Sequence, residues 1–347
     1  MSHLQDILGL YGFNEVESQG LLETLRIVNC TVNLDKADST EKELAALNEA
    51  LQSCFLRPIG TERQQFNDIF KDEELRSQLL PHLSPFINSI NTGNALPIKM
   101  LLGANENSTK ERFNILVNLE ENGHHADIVY LLGGKRDLWI DYEPITIGLL
   151  IERLIKNNNI TEEDAKLEVT NAIDEFFPDK NNIGIKRLAI VKHFTDNGII
   201  WPTEADMMVR LAKSYKELSS TKFILVNAPN KLNDKGQVVR PDTLDTYNQL
   251  WEDYGKNITL SAKTQPNRKL PMAIVTTQPY GHYQYSQAIS AFHDKPVNIL
   301  VVASGINNIN DVNLAIVFDS FARTIYAGKN IVLKKIIAPA HFKSTEL

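Results

Sequence analysis

From Ile98 onward, unbroken apolar runs alternate with stretches in which apolar residues recur every three or four positions. Runs of Val, Ile and Leu without polar alternation predict strands that are covered on both faces, which is typical of a parallel sheet packed between helices. The predicted strands are Ile98–Gly103, Asp127–Leu132, Arg187–Lys192, Lys222–Val226, Met272–Thr276, Asn298–Ala303 and Ile331–Ile336. The predicted helices between them are Lys110–Glu121, Thr203–Leu218, Thr243–Tyr254, Tyr283–Phe292 and Val312–Tyr326.

Residues 96–347 are therefore predicted to form an α/β domain, a Rossmann-like and mostly parallel sheet with helices on both faces. A barrel of eight such units is the alternative, but the chain has too few repeats for it. Two more helices, Ile145–Lys156 and Thr161–Phe176, predict a helical insertion over about 141–180 that caps the fold. The polar stretch Asn230–Arg240 is predicted to be a loop long enough to be mobile.

The first 95 residues have helical patterns and no strand pattern. Val16–Val28 and Glu41–Cys54 carry apolar residues at helical spacing, and Ser39-Thr40-Glu41 is a start signal for the second of them. Asn88–Pro97, rich in Ser, Asn, Thr and Gly, is predicted to link this part to the α/β domain. We therefore expect an all-helical amino-terminal domain over residues 1–95, which could recruit a protein partner.

Composition and charge exclude several classes of protein. The chain has 347 residues, 43% of them hydrophobic, and a net charge of −7 without a polybasic block. This argues against nucleic acid and against a basic membrane-surface protein. There is no signal-peptide pattern and no apolar span long enough for a bilayer, so we predict a cytoplasmic protein without a membrane partner. Export by a specialised secretion system would leave no such mark.

The two cysteines, Cys30 and Cys54, lack a disulfide-rich pattern around them. We expect two buried thiols in a reducing compartment, with a disulfide as the alternative. The chain has no HExxH, CxxC or triple-histidine spacing, and the adjacent His124 and His125 fall in a predicted loop. No metal is therefore predicted.

Small and polar residues follow several predicted strands. Loops at the carboxyl ends of parallel strands converge, and helix amides point outward there, so these residues predict one shared cleft for a ligand. The candidate ligand-binding residues are Gly103, Asn105, Ser108, Arg112, Gly133, Gly134, Lys135, Arg136, Asp242, Thr243, Asn248, Thr276 and Thr277.

Several of these residues are suited to binding an anionic group. Ser108 or Thr109 is expected to cap a helix, with Arg112 beside an anion, although an ordinary cap and a solvated arginine explain the same pattern. The paired glycines Gly133-Gly134 let backbone approach a ligand, and Lys135-Arg136 could neutralise phosphate or carboxylate. Because neither GxGxxG nor a P-loop occurs, we predict no nicotinamide dinucleotide and no classical nucleotide hydrolase.

Two further helix starts carry candidate residues. Thr203 fits an N-cap. Glu204 after it is either a carboxylate that the helix dipole simply favours, or a functional group that accepts a hydrogen bond from a ribose-like hydroxyl or acts as a base. Asp242 or Thr243 is expected to cap the next helix, and Asn248 is either a ligand contact or a solvated amide.

His282 is the second predicted catalytic residue, as an acid or base. It follows Pro279-Tyr280-Gly281 at a predicted strand end, where loops approach a ligand. A structural hydrogen-bonding histidine is the alternative.

Taken in order, these pieces resemble the bacterial family of unsettled function typified by YdcF, SanA and ElyC. The resemblance covers about Ile98 to Phe292 and leaves out the helical front end. The matching pieces are Leu102-Gly103-Ala104, Ser108 to Arg112, Gly133-Gly134, Thr203-Glu204-Ala205, Thr243 with Asn248, and Val275-Thr276-Thr277 with His282. Tyr285 stands where the family usually has Arg, and the span from Gly134 to Glu204 is longer than usual.

The resemblance implies a Rossmann-like protein that binds a nucleotide-like small molecule, with S-adenosylmethionine as a candidate ligand. As an enzyme it would be a transferase or hydrolase acting at a methyl or phosphoryl centre, with His282 and Glu204 as acid and base and Arg112 as the anion clamp. The alternative is a non-catalytic interaction protein with a degenerate cleft, which Tyr285 and the insertion favour. A third reading, a cell-envelope factor, is weakened by the lack of a membrane anchor.

Overall fold

A computed structural model describes residues 2–34, 37–56, 70–178, 182–232, 235–263 and 269–333 of the chain. The protein is α/β, as the apolar runs predict. Its helices are α1 Ser2–Leu10, α2 Glu15–Ile27, α3 Thr40–Phe55, α4 Glu73–Leu79, α5 Glu106–Glu121, α6 Ile145–Asn158, α7 Glu162–Phe176, α8 Ile183–Asp196, α9 Glu204–Ser214, α10 Thr243–Lys263, α11 Gly281–Phe292 and α12 Leu314–Leu333. Its strands are β1 Ile90–Asn91, β2 Ile98–Leu102, β3 Ile128–Gly134, β4 Lys222–Ala228, β5 Lys231–Leu232, β6 Val238–Val239, β7 Leu270–Thr277 and β8 Val297–Ser304.

Six of the strands form a mostly parallel sheet in the order β1-β8-β7-β2-β3-β4. β7 pairs with β8 in parallel from Leu270 opposite Val297 to Thr277 opposite Ser304, and β3 pairs with β4 in parallel. The short β1 is antiparallel to β8. β7 is buried at six successive positions, from Met272 to Thr277, which is why its sequence shows no polar alternation.

The chain divides into two compact units. Unit 1 comprises residues 1–100, 122–126 and 254–347, and unit 2 comprises residues 101–121 and 127–253. The amino-terminal helices belong to unit 1, where they share a hydrophobic core with α12. Phe55 of α3 stacks on Phe318 of α12 with ring centroids 4.4 Å apart. The separate helical domain over residues 1–95 stays a prediction.

Local signals explain where the amino-terminal helices begin. Asn14 precedes α2 and forms a capping box with Glu17, because each side chain accepts a hydrogen bond from the other's backbone N–H. Ser39 caps α3, as the start signal predicts. The expectation of two free thiols is wrong: Cys30 and Cys54 form a disulfide between the end of α2 and the end of α3. Disulfides are typical of oxidising environments, and the cytoplasmic location stays a prediction.

In unit 2, the helices of the predicted insertion share a hydrophobic core with α8, which we call the core of the insertion; that the segment is an insertion stays a prediction. The predicted helices Ile145–Lys156 and Thr161–Phe176 are confirmed as α6 and α7 within one or two residues. The buried side chains of this core include Leu150, Leu154, Val169, Phe194 and Trp201.

The predicted strand Arg187–Lys192 is wrong, because these residues lie within α8. Ile190 and Phe194, four residues apart, are buried in the core of the insertion, while Leu188 is exposed. A short apolar run is compatible with either a helix or a strand, and here the core of the insertion selects a helix.

The structure corrects three other predictions, of one strand, one linker and one loop. Residues 331–333 of the predicted strand Ile331–Ile336 belong to α12, and the rest of it lies outside the described residues. The predicted linker Asn88–Pro97 contains β1. The predicted loop Asn230–Arg240 contains the antiparallel ribbon of β5 and β6, in which Leu232 pairs with Val238.

Candidate functional site

The candidate site lies in unit 2, where β2 and β3 end and α9 begins. Thr203 precedes α9, and the Asp206 carboxylate accepts hydrogen bonds from the Thr203 backbone N–H and hydroxyl at 2.8 and 2.7 Å. The predicted cap at Thr203 is therefore confirmed. This start places Glu204 at the first position of the helix, where its backbone N–H donates to the Arg136 carbonyl at 2.9 Å.

Glycines allow α9 to approach the strand ends. A Cβ atom at Gly103 would overlap the carboxylate of Glu204 and lie 2.8 Å from its Cγ. A Cβ atom at Gly133 would lie 3.1 Å from the Cα of Ala205, and one at Gly134 would lie 3.1 Å from Cγ of Pro241. The three glycines at the predicted cleft therefore make room for protein atoms, a role that predicts close packing as readily as it predicts a ligand cradle.

Arg136, after β3, is the centre of a charged network. Its Nε donates to Glu204 Oε2 at 3.0 Å. Its two terminal nitrogens donate to both oxygens of Glu143, at 3.0 and 2.7 Å, and to the carbonyls of Asp137 and Ala104, at 3.3 and 2.9 Å. A guanidinium has five N–H donors in a planar fork, so these five bonds engage all of them.

Glu143 is fully buried and holds Arg136 from one side. Its Oε1 also accepts from the backbone N–H of Glu106 at 3.2 Å, and its Oε2 accepts from that of Trp139 at 2.8 Å. Each oxygen therefore has two donors. A buried carboxylate is tolerated only when it is paired and hydrogen-bonded in this way.

Glu106 extends the network to the start of α6. Its Oε1 pairs with Lys110 Nζ at 2.5 Å, and its Oε2 accepts from the backbone N–H of Ile145 at 2.8 Å. The side chains of Glu106 and Glu143 thus tie the first turn of α5 to the segment that leads into the insertion.

The electrostatics of the network distinguish its members. Burial raises the pKa of Glu204 above its usual range, although Arg136, Arg112 and Arg240 act in the opposite direction. Burial disfavours the charged form of Arg136, but the hydrogen bonds and charges of Glu143 and Glu204 outweigh it and raise its pKa. The arginine is therefore a permanent cation, and Glu204 is the member whose protonation responds more easily to its surroundings.

Arg112, predicted as the anion clamp, is 1% exposed. Its Nη1 donates to the carbonyls of Leu102 and Gly103 at 2.6 and 3.1 Å. These bonds attach α5 to the end of β2. The predicted cap at Ser108 or Thr109 is wrong, because Asn105 Oδ1 accepts from Ser108 N at 2.9 Å and α5 begins at Glu106. Asn, like Ser and Thr, is a preferred N-cap, so the cap simply lies three residues earlier.

The remaining candidates of unit 2 lie after β3 and around α10. Lys135 and Asn248 are exposed. Asp242 caps α10, since it accepts from Asp245 N at 3.0 Å and donates its own N–H to the Asp245 carboxylate at 2.7 Å. That confirms the predicted cap. Thr243 is the first residue of α10.

His282, Thr276 and Thr277 belong to unit 1 and are buried there. The imidazole ring of His282 lies 4.7 Å from the ring centroid of Phe13 and 5.4 Å from that of Phe86. Burial lowers the pKa of His282 to about 3, although a hydrogen bond to the backbone of Pro85 acts in the opposite direction. His282 is therefore neutral at neutral pH.

Sequence reasoning missed Glu143 and Glu106. Glu143 precedes Pro144 and the predicted helix Ile145–Lys156, and Glu106 lies in the first turn of α5. Acidic residues are common at helix starts because the helix dipole favours them. Only their bonds to Arg136, Lys110 and backbone N–H groups set these two apart, and no sequence spacing indicates those bonds.

Other features of the described chain give the site its context. A groove of about 590 Å³ in unit 1 is lined by Lys42, Glu49 and Cys54 and by smaller residues, none of them a predicted site residue. Within the described ranges no helix has the length and apolarity needed to cross a membrane. The same described ranges contain no cluster of three or more His, Cys, Asp or Glu side chains that could hold a metal ion.

Comparisons of the chain with protein-family models, with curated proteins and with solved structures found no match.

Proposed function

We propose that unit 2 binds a nucleotide-like small molecule at the ends of β2 and β3, with Glu204 as the side chain that contacts it. The observation that carries this proposal is the state of the Glu204 carboxylate. Its side chain is 14% exposed, and Oε2 is held by Arg136. Among the described residues, the hydrogen bond from Arg136 reaches Oε2, and no hydrogen bond is made to Oε1. A rigidly held carboxylate with an available oxygen is suited to accept a hydrogen bond or a proton.

The position of Glu204 supports the same proposal. Ligands of open α/β sheets bind outside the carboxyl ends of the strands, next to helix amino termini. The resemblance to the YdcF, SanA and ElyC family, with its Rossmann-like fold, makes S-adenosylmethionine the candidate ligand. A carboxyl group whose pKa is raised by burial also suits a role as a general acid or base, which supports a transferase or hydrolase acting at a methyl or phosphoryl centre.

Calorimetry with S-adenosylmethionine and with common nucleotides tests the proposal. We expect one of these compounds to bind the wild-type protein and Glu204→Gln to weaken its binding about tenfold, since a hydrogen bond to a charged group contributes about 1.5–3 kcal/mol. Glu152→Gln is the matched control, because Glu152 forms an exposed pair with Arg210. The proposal fails if wild type binds none of the compounds, or if both variants bind like wild type.

A non-catalytic interaction protein is the second candidate function. The observation that favours it is the environment of His282, whose imidazole is neutral and packed between Phe13 and Phe86. A core histidine of this kind explains the residue without catalysis. If the double variant His282→Gln, Glu204→Gln keeps the ligand affinity of wild type, the interaction protein is the better account.

A further inference from the structure

The Arg136 guanidinium has no donor left for a ligand. Glu143 takes one N–H from each terminal nitrogen in a two-pronged pair, the arrangement that carboxylates and phosphates both prefer. Glu204 takes the Nε–H, and two backbone carbonyls take the rest. A phosphate could bind Arg136 only by displacing one of these acceptors, and a two-pronged bond to both terminal nitrogens would have to displace the fully buried Glu143 carboxylate.

The carboxylates that contact Arg136 also oppose an anion. Two carboxylates, Glu143 and Glu204, face the one guanidinium, and Glu106 balances the nearby Lys110. Taken alone, the one guanidinium and the two carboxylates sum to a formal charge of −1, while Arg112 and Arg240 add positive charge near Glu204. Arg112 is occupied by the carbonyls of Leu102 and Gly103 through its Nη1. The oxygen that remains available, Glu204 Oε1, is an acceptor.

We infer that Glu143 is a positioning residue that reserves Arg136 for the protein, so that the ligand group docking at Glu204 is a hydrogen-bond donor, a hydroxyl or an ammonium, and not a phosphate. This inference rests on the proposed function for the identity of the site. It adds the chemical class of the docking group and assigns a role to Glu143. It also replaces the sequence-based expectation that Arg136 neutralises a phosphate.

The decisive measurement is the NMR signal of the Arg136 Nε–H during titration with inorganic phosphate. In the wild-type protein we expect no shift, because every donor of Arg136 is engaged. In Glu143→Gln we expect a saturable shift, since the amide nitrogen of Gln cannot accept a hydrogen bond, which frees a donor of Arg136, and since one of the two negative charges that face the guanidinium is removed. A role for Glu143 in folding alone would not produce this gain of phosphate binding.

Two further variants keep the measurement interpretable. Glu143→Asp retains the charge but shortens the side chain, so it should give a weaker response than Glu143→Gln and serves if the latter fails to fold. Glu152→Gln, which removes an exposed carboxylate of α6, should leave the Arg136 signal unmoved by phosphate. A shift in wild type, or none in either folded Glu143 variant, would overturn the inference.

Ligand binding separates failure of this inference from failure of the proposed function. If no nucleotide-like compound binds wild type, the proposed function fails while the phosphate titration still decides the role of Glu143. If a compound binds and shifts the Arg136 Nε–H only when it carries a phosphate, the site exists and the assigned ligand class is wrong.

Discussion

The two predicted catalytic residues lie in opposite chemical environments. His282 in unit 1 lies against the rings of Phe13 and Phe86, and burial lowers its pKa to about 3, so the imidazole is neutral at neutral pH. Glu204 in unit 2 pairs with Arg136 in a network of acidic and basic side chains and keeps partial contact with solvent. Burial perturbs the pKa of both residues, and Glu204 also has a charged partner, Arg136, at 3.0 Å. A perturbed pKa therefore points to function only together with such groups.

The largest expected effect is the loss of stability when Arg136, the charged partner of Glu204, is replaced. Arg136→Met would leave the buried carboxylate of Glu143 without its counter-ion, and we expect the free energy of unfolding to fall by about 3–5 kcal/mol. Urea unfolding followed by circular dichroism measures it.

The matched control for that variant is Arg210→Met. Arg210 pairs with Glu152 on the surface, where an ion pair contributes about 1 kcal/mol or less. Equal losses in the two variants would mean that the network is no more important to stability than a surface pair.

A smaller effect is expected at Gly103. Gly103→Ala forces Glu204 away from its position, because the new Cβ overlaps the carboxylate. We expect a loss of about 2 kcal/mol, typical of overpacking, together with weaker ligand binding. Gly184→Ala in α8 is the control, since its Cβ meets nothing within 4 Å. Wild-type stability and affinity in Gly103→Ala would show that the contact between α9 and β2 is loose.

The last effect develops only on acidification, and it is a pH dependence that reports on His282. Its pKa is about 3 in the folded protein and 6.5 in the unfolded chain. Between these values the unfolded chain binds a proton that the folded protein does not, so stability falls as the pH drops from about 6.5 to about 3. The slope approaches about 1.4 kcal/mol per pH unit.

Comparison of wild type with His282→Gln isolates that contribution. The variant should show a flatter decline in the free energy of unfolding over this pH range. His293→Gln, which changes an exposed histidine directly after α11, is the control. If His282→Gln and wild type follow the same curve, then His282 is not the buried neutral group of unit 1.

Much of the fold is predictable from the sequence, because it depends on local patterns. The helices α2, α3, α6 and α7 follow from apolar spacing, and Thr203 and Asp242 act as the caps that the sequence predicts. Local patterns fail where a distant core decides. The run in α8 is helical because Ile190 and Phe194 complete the core of the insertion.

The candidate site was less predictable. Glu204 was recognised as a carboxylate at a helix start, but its partners come from segments 68 residues away and further. The sequence predicts Arg136 as a ligand contact. Its hydrogen bonds to Glu143 depend on how the two side chains are oriented in the fold, which the order of residues does not reveal. The disulfide was equally unpredictable, because the sequence positions of Cys30 and Cys54 do not show how close the two sulfur atoms lie in the fold.

The sequence by itself determines that this chain forms an α/β protein with parallel strands, where most helices begin, and that polar residues follow the strands. Those features follow from backbone preferences and from the burial of apolar side chains, which act over a few neighbouring residues. The tertiary structure alone decides that Arg136 is occupied, that Glu204 keeps an available oxygen and that His282 is neutral. Each of these depends on which groups approach within hydrogen-bonding or packing distance, and on how much water that approach removes.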